Sequence, residues 1–100
     1  MASKPVTVIV RIVAKPGMEA QVKRELMNLL APTRSEKGCM NYDMHQADDD
    51  DSRFLFHENW VCEEDLRRHL EAPHIRHWIT LAETLLAKPM ELTLWHKVDY

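Results

Sequence analysis

Cysteine is scarce in this chain, and its placement excludes the common metal fingers. Cys39 and Cys62 form no CxxC pair and no other finger-like spacing. No apolar run approaches the length of a membrane span, and the opening Met1-Ala2-Ser3-Lys4-Pro5 lacks the apolar core of a secretory signal. A cytoplasmic protein with reduced thiols is therefore expected. Charge of neither sign dominates: 13 basic against 16 acidic residues give a formal charge of −3, which leaves no footprint for nucleic acid or an anionic membrane. Nothing repeats at a fixed period and no linker or low-complexity stretch divides the chain, so one domain over residues 1–100 is expected.

What the chain does carry is a clear order of apolar patterns. Residues 6–14, VTVIVRIVA, are β-branched and mostly apolar on both faces, which predicts a central strand ended by Pro16-Gly17. Over 18–35, Val22, Leu26, Leu29, Leu30 and Thr33 recur at helical spacing. Pro32 is expected to kink or tighten the last turn, and Gly38 to stop it. A second strand is expected from Cys39 to Ala47 and a third from Arg53 to Val61, joined by the acidic turn Asp48–Asp51. The spacing of that turn matches no calcium loop. Glu63-Glu64-Asp65 opens a helix with three acids at its positive end, and Pro73 breaks it. A second helical piece carries Ile75, Trp78, Ile79, Ala82, Leu85 and Leu86, Pro89 ends it, and MELTLWHKV forms the last strand. The order β-α-β-β-α-β predicts a ferredoxin-like α+β subunit with an antiparallel four-stranded sheet.

The hairpin between strands two and three decides where Glu58 points. A four-residue loop pairing Asp48 with Arg53 would set Asp43 opposite Glu58, two like charges in contact. A one-residue slip, from a bulge or a different loop length, puts Met40, Tyr42 and Met44 on one face with Phe54, Phe56, Glu58 and Trp60. It also turns Cys39 away from Cys62. This second register builds a continuous apolar face for the helices to cover, and it is preferred. Glu58 then sits in an apolar layer beneath the helix bearing His69, where desolvation raises its pKa and a nearby histidine lowers it again. Such a carboxylate can act as a general base or hold a histidine in its working tautomer. It can equally be a buried residue bonded to backbone or to His69 merely to fix the helix.

His69, His74 and His77 resemble metal-ligand material, but their spacing argues against a metal. Pro73 stands between His69 and His74, so they are not i,i+4 partners on one continuous helix, and no acidic or thiol ligand matches the spacing of His74 and His77. His69, three residues after Leu66, is expected to face the sheet. His74 is expected at a helix start, a position that favours anions and a neutral imidazole, and His77 in solvent. His45, His57 and His96 lie on strands in no readable pattern. Trp60 and Trp78 are either core aromatics or walls that stack a flat ligand. Arg11 interrupts an apolar strand, and either pairs across a dimer interface or reaches an acidic ligand.

Four pieces recur in a familiar order: Lys15-Pro16-Gly17 before the first helix, Gly38-Cys39 with Tyr42, Glu58-Asn59-Trp60, and the run Leu66 to His74, LRRHLEAPH. Together they resemble the antibiotic biosynthesis monooxygenase family, especially its quinol monooxygenase-like members, over nearly the whole chain. The resemblance implies a ferredoxin-like subunit that dimerises sheet to sheet into an α+β barrel, with a ligand cavity between sheet and helices. It implies oxygenation without metal or flavin, because an ionised quinol or polyphenol can itself reduce oxygen. The protein then supplies an apolar pocket, a base and a polar group near the forming peroxide. On that reading His69 or His74 is the base and Glu58 orients it. Tyr42 and Asn59 are hydrogen-bond donors, although Asn59 falls on the opposite face in the preferred register. Phe56, Trp60 and Trp78 are walls, and Arg11 is a further substrate contact. No cofactor is expected, and the chain has no GxGxxG fingerprint. The expected partners are an aromatic small molecule, oxygen and a second copy of the chain. Isomerases of small phosphorylated ketones share a similar histidine-to-Pro-His run, and Arg11, His69 and His74 could serve such a substrate. Haem-degrading relatives rely on a first-strand asparagine, which VTVIVRIVA does not supply. A non-catalytic ligand-binding dimer is the reading from another class.

Overall fold

The computed structural model describes residues 4–98. Along the chain run β1 (Val6–Val13), α1 (Glu19–Met27), α2 (Leu30–Arg34), β2 (Cys39–Gln46), β3 (Arg53–Trp60), α3 (Glu63–Leu70), α4 (Pro73–Leu85) and β4 (Glu91–Trp95). The strands form one antiparallel sheet in the order β2-β3-β1-β4, the ferredoxin-like α+β topology. β1 is central, as its two-sided apolar pattern predicts. Alternation then decides the faces: Val6, Val8 and Ile12 of β1 and Phe54, Phe56, Glu58 and Trp60 of β3 are buried. Leu26, Leu66, Ile75 and Trp78 from the helices complete the core above them. No helix among the described residues is long and apolar enough to cross a membrane.

Both prolines that interrupt the helices act at helix starts. The expected helix over 18–35 is two, broken between Met27 and Leu30 rather than kinked at Pro32. Pro32 falls in the first turn of α2, where its missing N–H has no intrahelical partner to lose. Pro73 is the first residue of α4, and so separates α3 from α4 as its ring requires.

The β2–β3 register is the preferred one, with Tyr42 opposite Glu58 and Met44 opposite Phe56. A bulge between Cys39 and Asn41 corrects the rest of that expectation. The extra residue pushes Met40 out to solvent and rotates Cys39 onto the covered face opposite Trp60. Both cysteines are free. Gly38, just before the bulge, has φ +81°, and a Cβ there would collide with the Asp65 side chain at the start of α3. The turn is thereby pressed against α3, and the Val61 N–H closes it by donating to the Gly38 carbonyl at 2.9 Å.

Candidate active site

Between the sheet and α3–α4 lies a cavity of about 200 Å³, lined mainly by apolar side chains. Tyr42, Phe56, Glu58, His69 and Trp78, five of the residues singled out from sequence, line it together. Phe56 stacks on Tyr42, with ring centroids 4.6 Å apart. Trp60, expected as a further wall, is not among the lining residues: it is fully buried and packs against His69, its ring centroid 4.6 Å from the imidazole.

Glu58 is not the residue that orients His69, which corrects the sequence expectation. Its Oε1 accepts the Trp60 indole N–H at 2.9 Å, an i,i+2 pair on one face of β3. The carboxylate on His69 is instead Glu36, from the polar turn after α2, with Oε2 2.7 Å from His69 Nδ1. The same oxygen lies 3.1 Å from His74 Nε2, and Thr33 Oγ1 approaches that nitrogen at 3.0 Å. The break at Pro73 keeps the two histidines from being i,i+4 partners on one helix, as expected. It turns the chain so that they meet, with ring centroids 6.2 Å apart. His74 is not among the cavity-lining residues and stands behind His69. His77 is exposed, as expected.

Arg11 does not reach the cavity, which goes against its expected part as a substrate contact there and leaves the interface alternative. It alternates away from Val10 and Ile12 and is exposed on the face of the sheet that the helices leave bare. There it joins Arg53, Lys88 and Glu91 around a larger, open hollow of about 410 Å³ that shares only Ile12 with the first cavity. Asn59 is on this outer face too, donating to Asn41 Oδ1 at 2.8 Å.

Burial sets the electrostatics. It drives the Glu58 pKa up to about 7, against the Trp60 hydrogen bond and with help from the Glu36 charge. Tyr42 is pushed up by burial and then by Glu58, so the phenol stays protonated and can donate. His69 is pulled down by burial, although its bond to Glu36 opposes this, so the ring is held neutral. Accepting at Glu36 puts the His69 proton on Nδ1. Nε2, which makes no hydrogen bond among the described residues, is then the basic nitrogen of a ring that lines the cavity. The arrangement is a neutral imidazole hydrogen-bonded to a carboxylate, a protonated phenol and an acid whose pKa is raised to about 7, around an apolar void.

Residues 5–81 match the family described as antibiotic biosynthesis monooxygenase. The chain belongs to that family. A crystal structure of PA3566 from Pseudomonas aeruginosa is 33% identical, covers 99% of each chain and superposes with a TM-score of 0.92. The structure of Rv0793 from Mycobacterium tuberculosis is 27% identical, covers 97% of this chain and 98% of its own, and gives a TM-score of 0.91. The name of Rv0793 is a provisional monooxygenase assignment. The protein sll1783 of Synechocystis sp. is 30% identical over 94 residues, and the match spans 94% of this chain but 64% of that longer relative. Among antibiotic biosynthesis monooxygenases, then, this chain is placed by both sequence and fold.

Glu36 and Thr33 are the site residues that sequence reasoning missed. Glu36 sits in the run Ser35-Glu36-Lys37-Gly38, which reads as a solvated turn. The one usable signal is that Gly38 follows it, marking a turn that must pack closely.

Proposed function

We propose that the protein is a monooxygenase that uses neither metal nor flavin and acts on a quinol-like or polyphenolic ring. The observation that carries this reading is the cavity itself: apolar walls with His69, Tyr42 and Glu58 as its few polar residues. An apolar void of about 150 Å³ is enough for benzene, so this cavity suits a single substituted ring. His69 takes the phenolic proton, and the phenolate passes one electron to oxygen. The resulting ring radical and superoxide combine at a ring carbon to give a hydroperoxide. Loss of the ring C–H proton breaks the O–O bond: one oxygen stays on the ring and the other leaves as water. The ring loses four electrons and oxygen gains four. Tyr42 is the donor to the peroxide, and Glu58, ionising near pH 7, supplies or removes the proton that balances the second step.

The phosphorylated-ketone isomerase is disfavoured because no lysine or arginine lines the cavity and Arg11 faces the other way. The reading extends to a homodimer built sheet to sheet, since β4 leaves Trp95 exposed on the bare face of the sheet, opposite Thr7 of β1. An oxygen electrode with a panel of quinols, across about pH 6–9 to span histidine and phenol ionisation, tests the reaction. Enzyme-dependent uptake above autoxidation is expected. Isomerisation of a phosphorylated ketone without oxygen, or saturable binding of quinols without turnover, would overturn it.

A further inference from the structure

We propose that Glu36, His69 and His74 form a site for a divalent transition-metal ion, and that an ion bound there removes His69 as the base of the cavity. The spacing rule that argued against a metal looked for ligands along one helix. The fold instead collects them from three elements: the turn after α2, the last turn of α3 and the first turn of α4. Glu36 Oε2, His69 Nδ1 and His74 Nε2 all lie within 4.8 Å of one another. Two imidazoles and one carboxylate suit zinc and its first-row neighbours rather than magnesium or calcium.

The movement needed is a small opening of two contacts and a closing of the third, between His69 Nδ1 and His74 Nε2, which stand at most 4.8 Å apart. Ligands at about 2.0–2.2 Å around a tetrahedral ion stand roughly 3.3–3.5 Å apart. The two hydrogen bonds, now 2.7 and 3.1 Å, therefore open by less than about 1 Å. His69 is already held between Trp60 and the edge of Tyr42. Glu36 and His74 keep side-chain exposures of 17% and 23%, so an ion reaches the site from solvent rather than through the cavity.

The consequence for the cavity follows from tautomers, and it rests on the oxygenase reading above; the binding itself does not. With no ion, His69 carries its proton on Nδ1 and offers the Nε2 lone pair to the cavity. An ion takes the Nδ1 lone pair, so a neutral ring must carry its proton on Nε2. Base becomes donor.

The test uses the whole protein labelled with ¹⁵N-histidine and titrated with zinc chloride, with affinity measured against a chelating dye. Saturation is expected at one ion per chain, with His69 Nδ1 and His74 Nε2 ligated and His69 Nε2 newly protonated. H74A should weaken binding by more than about 100-fold, beyond what loss of an outer-shell partner does. E36Q is the second variant should H74A fail to fold. No saturation at one equivalent, binding undiminished in the folded variant, or ligation through His69 Nε2 would overturn the proposal. Oxygen uptake should fall in proportion to zinc occupancy, and an unchanged rate at full occupancy would overturn the switch. If the chain turns over no quinol at all, the ¹⁵N spectra still decide the site, so the two failures are distinguishable.

Discussion

At the scale of single residues, Glu58 carries the sharpest thermodynamic signature. Its pKa of about 7 in the folded chain stands above the ordinary 4.5, so between those pH values the folded protein holds a proton that the unfolded chain has released. The stabilisation is fully present below about pH 4.5 and is lost as pH rises through about 7. The shift corresponds to about 3 kcal/mol. Glu58→Gln keeps an oxygen for the Trp60 N–H but has no proton to exchange. The variant should therefore be more stable than the parent at pH 8, and the difference should shrink steadily toward pH 5, as read from urea midpoints at each pH. His69 has the opposite sign, because a lowered pKa withdraws stability as pH falls. It is present in both proteins, so the difference curve isolates Glu58. A difference independent of pH would contradict the assignment. The oddity of Glu58 was readable in sequence, because it interrupts aromatics on a strand. Its partner was not: Trp60 two residues on and His69 on a helix are equally reachable from the sequence, and only coordinates show which one the carboxylate faces.

At the scale of elements, the site depends on two interruptions of regular structure. Pro73 starts α4 at an angle that swings His74 back toward His69. The bulge at Met40 rephases β2 so that Cys39 as well as Tyr42 faces the helices. The periodicities legible in the sequence give strands and helices to within a few residues. They do not give the bulge, because alternation on either side of it looks regular, and they do not give Glu36, because a turn residue has no periodicity to betray its direction. Gly38 ties both features together. Gly38→Ala combines a positive φ with a Cβ driven into Asp65, and should destabilise the fold by at least about 1 kcal/mol in chemical denaturation. A neutral substitution would show that the turn moves freely, and with it Glu36.

At the scale of the molecule, the helices cover one face of the sheet and leave the other bare. The topology was legible from the order of patterns, because few arrangements satisfy short connections and one apolar face per element. The outer face is mixed: Arg11, Asn41 and Asn59 lie there, and so does Trp95, which is 55% exposed. A tryptophan so placed fits an interface anchor. Trp95→Asp should raise the dimer dissociation constant by at least about 30-fold in sedimentation or light scattering; an unchanged constant would show that the copies meet elsewhere. Two copies joined by this face would leave each cavity intact on the helix side, so in the proposed dimer chemistry and assembly would use opposite faces of the sheet.

The central claim is that His69, set by Glu36, is the base of an oxygen-consuming cavity. The most direct measurement is the initial rate of oxygen uptake with the best quinol substrate, comparing the parent chain with His69→Ala of verified fold. The account predicts that the enzyme-dependent rate falls by at least about 100-fold while autoxidation continues unchanged. A His69→Ala variant that consumes oxygen at the parent rate would contradict it.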